Sequence, residues 1–159
     1  MTRIADLEPC NYFPWGSTHN VLAVGWLDCQ CAFQTGSVSK EFFLKLCQMI
    51  QEPWQPPVVP AGVHHCDLCQ FSRGGGGTFE GLPVPSTSES NLFVPYDGKL
   101  YVAPVLIAHY VDAHRYKPPQ IFVEAIMACP PMKSMEYMKA LLANGGRSLI
   151  QKIKAQQST

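Results

Sequence analysis

The stretch Gly62-Val63-His64-His65-Cys66-Asp67-Leu68-Cys69 concentrates metal-binding side chains. Cys66 and Cys69 form a Cys-x-x-Cys pair, a spacing that brings two sulfurs onto one cation within a tight turn. Zinc takes about four such soft or borderline ligands in a tetrahedron. His64 or His65 adds a third ligand from the same segment, and a fourth has to come from elsewhere. His109 and His114 are the remote candidates. Five residues apart, they stand roughly 140° from each other on a regular helix. Both reach one ion only if the helix end is distorted; with a helix fraying before Lys117-Pro118, His114 is favoured. The candidate ligands of a zinc site are therefore His64, Cys66, Cys69, His109 and His114. The same residues also read as a turn of reduced, partly buried cysteines beside hydrogen-bonded histidines. A redox pair is a third reading. Its thioredoxin-like form needs a strand-to-helix junction, whereas this pair lies between proline-rich and glycine-rich stretches.

Other chemistries lack their residues. The run Gly74–Gly77 has no Gly-Lys-Ser/Thr behind it and is not a P-loop. The His-x-Glu and the proline of a zinc nucleobase deaminase are missing, as are His-Glu-x-x-His and Gly-x-Ser-x-Gly. Cys129 with His109 or His114 would make a nucleophilic pair, but Cys129 ends an apolar stripe beside Pro130-Pro131, which favours an inert core thiol. Cys29 and Cys31, one residue apart, have poorer chelate geometry and read as packing. A metal held by only three protein ligands would leave a position to activate water, with Asp112 as base. That zinc-dependent hydrolase is the enzymatic alternative to a closed, structural site, and the non-enzymatic reading is preferred.

The elements that must position these groups follow from periodicity and punctuation. Val21–Leu27 is a short apolar run with valines and reads as a buried strand. Thr35-Gly36-Ser37 supplies turn and cap chemistry for a helix over Val38–Ile50, where Phe42, Leu46, Met49 and Ile50 share a face with Phe43 and Cys47 beside it. Pro53, Pro56, Pro57 and Pro60 end it. Residues 70–90 are rich in Gly, Ser, Thr and Pro and are expected to form a flexible loop without local structure. Leu92–Val94 and Lys99–Ala103 flank Pro95-Tyr96-Asp97-Gly98, a hairpin signal. Pro104 suits the first turn of a helix running to His114. Pro118-Pro119 begins another through Phe122, Ile126 and Cys129. Ser134 caps a third carrying Met138, Leu141 and Leu142, closed by Asn144-Gly145-Gly146. Ser148–Gln157 reads as a last amphipathic helix. Strand and helix first, then hairpin and helices, make an α+β fold, and 159 residues suit a single domain, 1–159.

Composition narrows the partners. Hydrophobic residues are 47% and charged residues 15%, so a packed core is expected rather than a disordered chain. Twelve basic residues balance twelve acidic ones, which argues against a surface built throughout to grip nucleic acid or membrane. Lys133, Lys139, Arg147, Lys152 and Lys154 stand against Glu136 in residues 130–159, a local +4. Nucleic-acid binding through those basic helices is an alternative; a solvated helix face is the preferred reading. Seven cysteines, no leader pattern after Met1 and no long apolar run lead to the expectation of a cytoplasmic protein with reduced thiols and no membrane segment.

In its longer pattern the chain resembles an uncharacterised bacterial family, a domain of unknown function. The matching blocks are Val24-Gly25-Trp26-Leu27-Asp28, Thr35-Gly36 before Phe42-Phe43, and Gly62-x-His64-x-Cys66-x-x-Cys69. Others are Tyr101-Val102-Ala103-Pro104, His109-Tyr110 with His114 and Tyr116, Pro118-Pro119 with Phe122, and Cys129-Pro130-Pro131-Met132 with Ser134 and Tyr137. The resemblance covers Val21–Asn144 and implies that His64, Cys66, Cys69, His109 and His114 belong to one shared plan. It implies no activity. The expectation is a small non-enzymatic module with a structural zinc site that binds another macromolecule, a protein partner first of all. A toxin-neutralising immunity protein is the leading alternative.

Overall fold

The computed structural model describes residues 3–10, 20–57, 63–69 and 76–150. In chain order it runs through β1 (Val21–Ala23), α1 (Lys40–Gln51), β2 (His64–His65), β3 (Gly77–Phe79), β4 (Leu82–Val84) and β5 (Thr87–Ser88). It continues with β6 (Asn91–Tyr96), β7 (Lys99–Pro104), α2 (Ile107–His114), α3 (Gln120–Ala128) and α4 (Met135–Ala143). The architecture is α+β, as the order of patterns predicts.

The hairpin β6–β7 is the centre. Asp97 and Gly98 both take positive φ (48° and 78°), the backbone of a two-residue type I′ turn whose twist matches antiparallel strands. Pairing runs from Tyr96 opposite Lys99 to Asn91 opposite Pro104. Pro95 and Tyr96, expected in the turn, belong to β6. β1 lies on the far side of β7 and parallel to it, giving the order β1-β7-β6. The outer side of β1 is covered by the N-terminal segment: the Leu7 and Cys10 N–H groups donate to the Ala23 and Val21 carbonyls, both at 2.8 Å.

The strand expected over Val21–Leu27 stops at Ala23 because Gly25 takes φ +75° and donates its N–H to Asp6 Oδ1 at 2.9 Å. A Cβ there would lie 2.9 Å from the Ile107 side chain, so the first residue of α2 packs where only glycine fits. Trp26 stays fully buried and donates its indole N–H to the Val102 carbonyl at 3.0 Å.

Helices close over this sheet. In α1, Phe42, Phe43, Leu46, Cys47, Met49 and Ile50 are buried, as the periodicity predicts. The cap is Ser39, whose hydroxyl accepts from the Phe42 N–H, and not the expected Thr35-Gly36-Ser37. Thr35 instead bridges to Tyr116. α2 begins three residues later than expected because Pro104 is still the last residue of β7, paired with Asn91. α3 follows Pro118-Pro119, and α4 is capped by Ser134, which accepts from Tyr137 N–H. The Tyr137 hydroxyl donates to the Phe93 carbonyl at 2.6 Å and ties α4 to β6. Gly145 at φ +96° turns the chain after α4, and helical backbone resumes over 147–150. The rest of the expected terminal helix lies outside the described residues.

The segment expected to lack local structure is corrected in part. Residues 70–75 lie outside the described residues, but 76–90 form a hairpin and a strand. Glu80 and Gly81 both take positive φ and join β3 to β4. Phe79 packs edge-on against Phe43 of α1 at 4.6 Å, Lys40 pairs with Glu80 at 2.7 Å, and Val84 is buried. Docking on α1 supplies what an isolated two-stranded ribbon lacks. β5 pairs antiparallel with β2, which holds the metal-ligand segment against the body. Among the described residues no helix is long and apolar enough to cross a membrane.

Candidate metal centre

Two segments meet at this centre. β2 sets His64 opposite Ser88 and His65 opposite Thr87, and the chain then turns through Cys66-Asp67-Leu68-Cys69. The Leu68 and Cys69 backbone N–H groups donate to Cys66 Sγ, which favours the thiolate. α2 supplies the other half. It is buried through Ile107, Ala108, His109, Tyr110 and Val111, so its imidazoles are presented from a packed and well-fixed helix.

His109 Nε2 lies 3.3 Å from Cys69 Sγ. His114 Nε2 lies 3.3 Å from Cys66 Sγ and 3.4 Å from Cys69 Sγ. All four ligand atoms fall within 4.8 Å of one another. Sulfurs at 2.3 Å and nitrogens at 2.0–2.1 Å around one tetrahedral ion would stand about 3.3–3.8 Å apart. The sulfur–nitrogen separations therefore already have the scale of a coordination tetrahedron. The donor set fits, and the four residues can hold a metal ion.

Both histidines take part, although the spacing favoured one. The reason lies at the end of α2. Arg115 adopts the left-handed conformation (φ 55°), and its N–H donates to the Tyr110 carbonyl, five residues back instead of four. The Tyr116 N–H reaches the same carbonyl at 3.0 Å. This wider last turn brings residues five apart towards one side, and the imidazole rings of His109 and His114 sit 5.1 Å apart. The distortion is held from outside. The Gly36 N–H donates to the Arg115 carbonyl, and the Lys117 N–H donates to the Gln34 carbonyl. Tyr116 is fully buried, with its hydroxyl on Asp6 Oδ2 at 2.8 Å.

Cys66 and His109 are each 4% exposed, while Cys69 and His114 are half-buried. Burial holds both imidazoles below their usual range, so they stand in the neutral, ligating form; for His109 the neighbouring His114 acts in the same direction. Burial pushes the Cys66 thiol up to about 11, against the opposing pull of the two backbone N–H donors. Cys66 therefore holds its proton at neutral pH, and a cation must displace it to bind that sulfur.

The other expected residues fall elsewhere. His64 is half-buried in β2 and is not one of the four clustered ligands. Cys129 caps α3, buried, with its thiol pushed up to about 11 by that burial, and it is not in the cluster. Asp112 is exposed on α2 and is also outside the cluster. Cys29 and Cys31 are free thiols on the Asx turn made by Asp28.

No curated protein and no solved structure matches this chain. The family model named domain of unknown function DUF7919 matches residues 2–127, a span that contains all four clustered ligands and ends before Cys129 and α4. The chain belongs to that family.

Proposed function

We propose that the chain holds one zinc ion in a closed site of two cysteines and two histidines, that the ion is structural, and that the domain acts by binding another macromolecule, in the first instance a protein. The observation that carries the metal reading is the convergence of Cys66, Cys69, His109 and His114 within 4.8 Å. Two sulfurs and two imidazoles suit zinc and are poorly matched to oxygen-seeking magnesium or calcium. Four protein ligands fill a tetrahedron, whereas a hydrolytic zinc keeps one position for water. That supports a structural ion over the hydrolase reading. The ion would join the turn at 66–69 to α2, two segments far apart in the chain. The surface supports the binding role with two exposed methionines on the C-terminal helices, Met127 and Met135, the latter 69% exposed. Flexible thioether side chains adapt well to a partner surface.

Metal analysis of protein purified without added zinc tests the first half. One equivalent of zinc is expected, and its removal by a strong chelator should lower the unfolding midpoint by 10 °C or more, on the order of a structural ion's contribution to a small domain. A metal content near zero together with a midpoint indifferent to chelator overturns the reading. Co-purification with a partner, lost on chelation, tests the second half.

A further inference from the structure

Both ends of the ligand-bearing helix α2 lead back to one carboxylate. Asp6, in the N-terminal segment that covers β1, accepts through separate oxygens: Oδ1 from the Gly25 N–H at 2.9 Å and Oδ2 from the Tyr116 hydroxyl at 2.8 Å. Gly25 seats the start of α2, since a Cβ there would stand 2.9 Å from the Ile107 side chain. Tyr116 follows the end of α2, fully buried, and meets Phe33 edge-on with ring centroids 6.1 Å apart. Between His114 and Tyr116, Arg115 is left-handed (φ 55°), a conformation that an L residue adopts at a cost and keeps only where its surroundings impose it. Backbone bonds impose it from close by: the Tyr116 N–H donates to the Tyr110 carbonyl, the Gly36 N–H to the Arg115 carbonyl, and the Lys117 N–H to the Gln34 carbonyl. The tie from Tyr116 to Asp6 is of another kind. It joins side chains 110 residues apart, and it fixes the turn to the same carboxylate that holds the seat of Ile107.

We propose that Asp6 is a positioning residue of the metal centre: through Tyr116 it holds the wide turn that sets His114 beside His109, and through Gly25 it holds the start of the helix that carries both. The inference rests on the metal-site reading. Asp6 is not one of the four clustered ligands; it acts through the short length of backbone between Tyr116 and His114. Loosening this clasp frees His114 from its place, while the turn at Cys66 and Cys69 and the helical position of His109 stay as they are. Ion and clasp are then coupled in both directions. What weakens the clasp weakens the hold on the ion, and the bound ion tightens the clasp by the same factor.

Cobalt(II) and zinc titrated into the full chain, into Tyr116→Phe and into Ser39→Ala test it. Tyr116→Phe keeps the buried ring and removes only the hydroxyl; Ser39→Ala loses the cap of α1 and no tie to α2. The unaltered chain should take up one equivalent of cobalt with the strong ligand-field bands of a tetrahedral site. In Tyr116→Phe the sulfur-to-cobalt charge-transfer bands should persist, the ligand-field bands should weaken as solvent replaces His114, and zinc should bind roughly 10-fold more weakly. Ser39→Ala should match the unaltered chain in bands and affinity. Unchanged ligand-field bands with equal zinc affinity in Tyr116→Phe overturn the Asp6 inference and leave the metal site standing, and so does a loss of affinity matched by Ser39→Ala. Failure of the unaltered chain to bind either ion overturns the metal-site reading itself. Should Tyr116→Phe not fold, amide hydrogen exchange in the unaltered chain decides. Zinc should slow exchange of the Gly25 N–H, which Asp6 accepts, more than that of the amides of α4, and equal slowing overturns the proposal.

Discussion

Single side chains separate the ligands from their neighbours. Cys66→Ser or His109→Ala removes one corner of the tetrahedron and is expected to bring bound zinc close to zero. His64→Ala should leave it at one equivalent, because His64 sits in β2 opposite Ser88 and outside the cluster. Metal content of the purified variants checks both. The pH dependence follows from the same residues. Burial raises the Cys66 thiol to about 11 and lowers both histidines. Uptake at neutral pH therefore displaces the Cys66 proton, and affinity should rise about tenfold per pH unit from that group alone. The histidines add competition only below the usual imidazole range. Competition titrations against a chromophoric chelator at stepped pH measure the slope; a flat profile between neutral and mildly alkaline pH would contradict it. At this scale the two cysteines were legible, because Cys-x-x-Cys carries its geometry in its spacing. The histidines were half legible, since a five-residue spacing suits one ion only with the wide turn at Arg115. His64 lies outside the cluster, because closeness in sequence is not closeness in space.

At the scale of elements, caps and tight turns decide boundaries. Ser39→Ala removes the acceptor for the Phe42 N–H and should cost about 1 kcal/mol. Gly25→Ala should cost more, about 1–3 kcal/mol, since it combines a positive φ with contact on Ile107. Urea denaturation of the two variants gives the ranking. α3, α4 and the Asp97-Gly98 hairpin were readable because prolines, Ser134 and a two-residue turn act locally. The ribbon β3–β4 was not. Its strands are three residues each, too short for alternation to show, and the neighbouring glycines hid the Glu80-Gly81 turn. Its order comes from packing Phe79 on Phe43, a contact between distant segments that no local pattern announces.

At the scale of the whole molecule, the α+β class was legible from the succession of patterns, but the sheet order was not. Nothing near Val21 indicates that its partner is Leu100. The pairing is chosen by burial of faces that only the assembled fold brings together. The centre shares this character: Cys66 and Cys69 meet His109 and His114 across the chain, and Asp6 meets Tyr116 beside them. The parallel pairing of β1 with β7 also has a consequence for biosynthesis. A ribosome exposes Val21–Ala23 long before it delivers Leu100–Val102, so one side of the first strand waits without a neighbour while most of the polypeptide is made. During that interval the nascent chain carries an open sheet edge of the kind that chaperones shield and aggregates recruit.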